Sequence, residues 1–130
     1  MEDAEFSDAF CGFIQANIPS VEAAELLLAL VRQPDEALSA AQALECTAPG
    51  GGLAQAEAAR LLEAFQARGL VSSEPGQGYR YRPISEELRL HAETLARAYN
   101  ERPVTLVRIV YALRDSRMRS FAEAFRLRRS

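Results

Sequence analysis

Residues 54–82 read AQAEAARLLEAFQARGLVSSEPGQGYRYR. Ala58, Leu61, Leu62 and Phe65 recur at helical spacing, which predicts a helix over 53–68 with one apolar stripe. Gly69 stops it, because glycine accepts the left-handed backbone that closes many helices. Leu70 to Ser73 and Tyr79 to Arg82 then read as two short strands. They are joined by Glu74-Pro75-Gly76-Gln77-Gly78, a turn rich in residues that reverse the chain. A helix that runs directly into a two-stranded ribbon is the feature from which the rest of the reading works outward.

Upstream, Phe6, Phe10, Phe13 and Ile14 share one helical face over 3–16. Asn17-Ile18-Pro19 breaks that helix. Ser20 can cap the next, about 21–32, which is apolar on nearly every side and therefore belongs at the centre of the molecule. Gln33-Pro34-Asp35 ends it, and Ser39 caps a shorter helix over 40–47. Gly50-Gly51-Gly52 demands a loop, since three glycines cost too much backbone entropy inside a helix. Downstream, Ser85 caps a helix over 86–100 whose inward stripe is Leu88, Ala92, Leu95 and Tyr99. Pro103 forces a kink or a new start. Residues 104–113 are apolar nearly all round. Asp115-Ser116 opens a last helix over 117–127, with Met118, Phe121 and Phe125 on one face and several arginines elsewhere.

Composition sets the bounds. A chain of 130 residues, 48% hydrophobic and 25% charged, suffices for one domain with its own core. Leu and Ala dominate, which favours helices. Cys11 and Cys46 have no metal-binding spacing, and reduced thiols in a cytoplasmic setting are the expectation. The acidic start, Met1-Glu2-Asp3-Ala4-Glu5, lacks the basic and apolar regions of a secretory signal. No run approaches the roughly 18 apolar residues that a membrane span needs. Charge is divided: residues 1–80 hold 12 acidic and 4 basic side chains, residues 81–130 hold 6 and 11. Two halves of opposite sign can attract each other or a second chain, and the basic half can attract an acidic partner.

Enzyme chemistry has no foothold in these residues. His91 is the single histidine, with no Cys, His or paired carboxylate at ligand spacing. No Gly-x-Ser-x-Gly turn is present, and the glycine run lacks the Lys and Ser/Thr of a phosphate loop. Catalytic, metal and cofactor-binding residues are accordingly expected to be none.

The order helix, helix, loop, helix, strand, turn, strand, helix, with its Arg68-Gly69-Leu70-Val71 closure, resembles the winged helix-turn-helix family over roughly residues 20–100. The ending Ser120 to Leu127 also resembles the tail of a small bacterial subfamily of that kind. The resemblance implies a mainly α fold with a small two-stranded β wing: an N-terminal helical arm over 1–19, a winged helix core over 20–83, and C-terminal helices over 84–130. It further implies a DNA-binding transcriptional regulator whose third helix enters the major groove while the wing touches the backbone or the minor groove. Gln55 and Arg60 on that helix and Arg80 and Arg82 in the wing are then the expected DNA contacts. The C-terminal region would join a homodimer, with Met118, Phe121, Phe125 and Arg126 facing a partner.

A second reading stands beside it. With the apolar stripe turned inward, the outer face of the third helix carries Ala56, Arg60, Glu63 and Ala67, flanked by Gln55 and Glu57. DNA presents about one negative charge per 1.7 Å of axis, so carboxylates on this face are repelled by it. The same fold can instead serve as a protein-interaction module that binds no DNA.

Overall fold

The computed structural model describes residues 6–47 and 52–114. The fold is mainly helical, with one small antiparallel sheet. In chain order it runs α1 (Asp8–Asn17), α2 (Val21–Val31), α3 (Ala40–Glu45), α4 (Gln55–Ala67), β1 (Val71–Glu74), β2 (Gly78–Tyr81) and α5 (Glu86–Glu101). Residues 103–114 are again helical and are called α6 below.

Serines start most of these helices. Ser7, Ser20, Ser39 and Ser85 are each extended in backbone and accept a hydrogen bond from the N–H three residues on, which satisfies one of the free donors of the first turn. Ser7 was not anticipated as a cap. It places the start of α1 at Asp8, later than the apolar face alone suggests. On α3 the capping is reciprocal, because the Gln42 side chain also accepts from the Ser39 N–H at 2.9 Å. Before Pro103, Arg102 leaves helical geometry (φ −138°, ψ 55°), as a residue preceding proline prefers. Pro103 thus opens a new helix and does not kink an old one.

The core gathers around α2. Ala23, Ala24 and every residue from Leu26 to Leu30 are buried, so this helix has almost no solvent face, as its composition demanded. α4 and α5 lie against it, and Ala58, Leu62 and Phe65 of α4, Leu95 and Ala98 of α5, Leu70 and Val71 at the ribbon's base, and Leu106 and Val110 of α6 complete the same buried cluster. α1 belongs to the same cluster. Phe10, Phe13, Ile14 and the following Ile18 are all buried, so the segment expected as an arm is integral to the core.

The ribbon pairs Val71 with Tyr81, Ser72 with Arg80, Ser73 with Tyr79 and Glu74 with Gly78. One partner was not foreseen. Leu38, between α2 and α3, exchanges two backbone hydrogen bonds with Tyr79, each 2.8 Å, and so lies on the other side of β2. Gly78 permits this approach. Its φ is +121°, and a Cβ there would sit 2.1 Å from the Leu38 carbonyl oxygen.

Candidate functional site

The surface to be judged is built by α3, α4 and the ribbon. α4 lies against α2 and α3 through its buried stripe, which turns Gln55, Ala56, Glu57, Arg60, Glu63 and Ala67 outward. Gln55 is the first residue of the helix and Arg60 sits mid-helix. Both are exposed, but they lie five positions apart, about 140° around the helix, so Arg60 lies on the outer face with Glu63 while Gln55 flanks it at the N-terminal end. Arg68, at the end of the same helix, is also exposed and was passed over. Its position after the apolar stripe was the available signal.

Glu57 does not act as a loose charge. Its carboxylate accepts the Ala54 N–H at 3.1 Å and so caps α4, a role that Ala54, with no side-chain acceptor, cannot return. Glu63 is exposed and has no ion pair among the described residues. A shallow cavity of about 310 Å³ opens beside Arg60, between Ser20, Leu53, Glu57 and Leu61. The Ser20 and Glu57 side chains are both engaged in capping, which leaves Arg60 as the cavity's uncommitted charge.

The two ribbon arginines differ. Arg82 follows β2, is exposed, and donates its backbone N–H to the Leu70 carbonyl at 3.1 Å. Its guanidinium faces solvent. Arg80 is half-buried and fully engaged. Nε donates to Glu74 Oε2 at 2.8 Å, Nη2 to Glu74 Oε1 at 3.4 Å, and Nη1 to the Asp35 carbonyl at 2.6 Å. The hydrogen bond from Arg80 holds the Glu74 carboxyl below the usual carboxylate range. Partial desolvation opposes that shift, and the charges of Arg80 and Arg82 add to it. Sequence reasoning treated Arg80 and Arg82 alike. The register would have separated them: Glu74 stands opposite Gly78, one diagonal step from Arg80 on the same face.

Away from this surface, His91 lies against Phe13 at 5.2 Å and Phe10 at 6.0 Å between ring centroids, with Glu87 Oε2 3.9 Å from Nε2. It is a boundary residue that helps seat α1 on α5. Among the described residues no group of three His, Cys, Asp or Glu side chains could hold a metal ion, and no single helix is long and apolar enough to cross a membrane. Met118, Phe121, Phe125 and Arg126 lie outside the described residues. No protein-family model, curated protein or solved structure matches the chain.

Proposed function

We propose that the chain is a winged helix-turn-helix regulator that binds duplex DNA. The observation that carries this reading is the backbone pairing of Leu38 with Tyr79. It makes the segment before α3 a one-residue strand beside the ribbon that follows α4. The ribbon is therefore held next to the α3–α4 pair, and one duplex could meet a helix face and a ribbon at once. Arg60, Arg68 and Arg82 supply the outward positive charge on these elements, while Gln55 offers an amide able to read a base edge. In this reading the protein is cytoplasmic and two copies, joined through 84–130, meet a twofold site.

The alternative, an interaction module without DNA binding, draws on Glu63 and on the Arg80–Glu74 pair, which leaves the ribbon with a single outward arginine. Salt separates the two. A labelled duplex should be retained at about 20 mM salt, where screening is weak, and released steeply towards about 200 mM as counterions compete. Replacing Arg60 and Arg82 together by Glu should abolish retention. A wild-type protein that ignores duplex at the lower salt removes the regulator reading in favour of the module.

A further inference from the structure

The two arginines of β2 and its end divide the work of the proposed DNA site, and this inference rests on that reading. Arg80 spends each face of its fork on the protein itself. Two of its nitrogens reach the Glu74 carboxylate across the ribbon, and the third reaches the Asp35 carbonyl, 45 residues away in sequence. Asp35 lies three residues before Leu38, whose backbone is paired with Tyr79. A side-chain tie and a backbone tie therefore bind the same stretch of chain to the same strand. The two side chains, taken whole, are about three-quarters shielded from solvent, with exposures of 23% and 25%. Turning Arg80 out to a phosphate would strand Glu74 without its partner and release Asp35. Arg82 has no such ties and is exposed.

We propose that Arg80 is a positioning residue that clamps the ribbon to the segment leading into α3, and that the ribbon's phosphate contact falls to Arg82 alone. Glu74 is then a supporting member of the site, although its charge has the sign that DNA repels. The planar fork is essential, because the two partners lie in different directions and a lysine ammonium cannot span both.

Duplex affinity measured over a range of salt tests the division, using R80A, R80K, E74Q, R80A/E74Q and R82A. A clamp predicts that R80A, R80K and E74Q each weaken binding by roughly tenfold, the scale of a coupled pair. It also predicts that they leave the dependence of log K on log salt unchanged, and that the double variant is no weaker than either single. R82A should flatten that dependence by about 0.9, the loss of one phosphate. Flattening by R80A, full activity of R80K, or tighter binding by E74Q would make Arg80 a phosphate contact and overturn the assignment. A second readout needs no DNA: exchange of the Leu38 and Tyr79 amide hydrogens. R80A and E74Q should both accelerate it. Unchanged exchange would refute the clamp, whereas accelerated exchange in a protein that binds no duplex would preserve the clamp and remove only the regulator reading.

Discussion

Two tyrosines show how partner geometry decides the worth of a polar group. The Tyr99 hydroxyl donates to Glu25 Oε2 at 2.8 Å and ties α5 to α2, with the Arg32 guanidinium 5.7 Å from the ring centre. The Tyr81 hydroxyl is buried and meets no hydrogen-bond partner among the described residues. Tyr99→Phe should therefore cost about 1.5 kcal/mol, the usual worth of a hydrogen bond to a charged group. Tyr81→Phe should be neutral or slightly stabilising, because it removes a buried donor that gains nothing. Urea unfolding at pH 7 distinguishes the two. Both phenols are also held above the ordinary tyrosine range. At Tyr81 burial leads, followed by the Glu93 charge. At Tyr99 burial leads, followed by the Glu25 hydrogen bond. A group whose folded-state pKa is raised favours the folded state only while it stays protonated. The contribution of these two tyrosines should thus be level up to about pH 10, where free tyrosine titrates, and fall above it. Replacing both residues by Phe should flatten that alkaline decline. Gly78 gives a third contrast at this scale. Gly78→Ala meets both a φ of +121° and the Leu38 carbonyl, whereas Gly76→Ala, at φ +77°, meets open space. The first should cost well over the roughly 1–2 kcal/mol of left-handed backbone that limits the second, as denaturant midpoints would record.

At the scale of elements, the helix starts at Ser20, Ser39 and Ser85 were readable from a serine before an apolar run, whereas Ser7, in the same setting, was missed because the apolar face of α1 begins at Phe6, ahead of it. The hydroxyl and the run are both local features. The ribbon was readable for the same reason, since Pro75, Gly76 and Gly78 specify reversal without reference to the rest of the chain. Leu38 was not readable. A one-residue strand carries no periodicity, and its pairing with Tyr79 depends on how α2 and α4 are already packed. The Arg80–Asp35 bond belongs to the same class, because a backbone carbonyl leaves no mark in composition. The outward position of Arg60 and Glu63 on α4, with Gln55 flanking them, followed from periodicity alone and needed only the buried stripe. α4 itself is the element left incompletely capped. Ala54 has the extended geometry of an N-cap (φ −79°, ψ 155°) but no side-chain acceptor, while Glu57 already completes the other half of the box. Ala54→Ser should add about 1 kcal/mol by supplying the missing acceptor. A raised urea midpoint with an unchanged slope is the expected record.

Across the whole molecule, the standing of α1 decides whether there is one cooperative unit or a core with a detachable arm. An arm would bury little, and its loss would leave the remaining helices undisturbed. Here Phe10, Phe13, Ile14 and Ile18 lie in the same cluster as α2, α4 and α5, and two of those rings pack on His91. Phe13 is 5% exposed. Emptying its site should cost about 3–5 kcal/mol, the usual range for a buried Phe→Ala, which is a large share of the roughly 5–15 kcal/mol that holds a domain folded. The chain offers an unusually direct probe of this. It has no tryptophan and four tyrosines, at 79, 81, 99 and 111, and none of them is in α1. Tyrosine fluorescence therefore reports only on the ribbon and the C-terminal helices. If α1 were a separate arm, Phe13→Ala would leave the tyrosine-detected urea transition where it is and alter only the helical signal in circular dichroism. If α1 is part of the unit, both signals should move to lower urea together, by the same amount and with coincident midpoints. Coincidence is the expected result, because Phe10, Phe13 and Ile14 belong to one buried cluster with Leu26 to Leu30 of α2 and the buried residues of α4 and α5, so a void in that cluster loosens the unit as a whole.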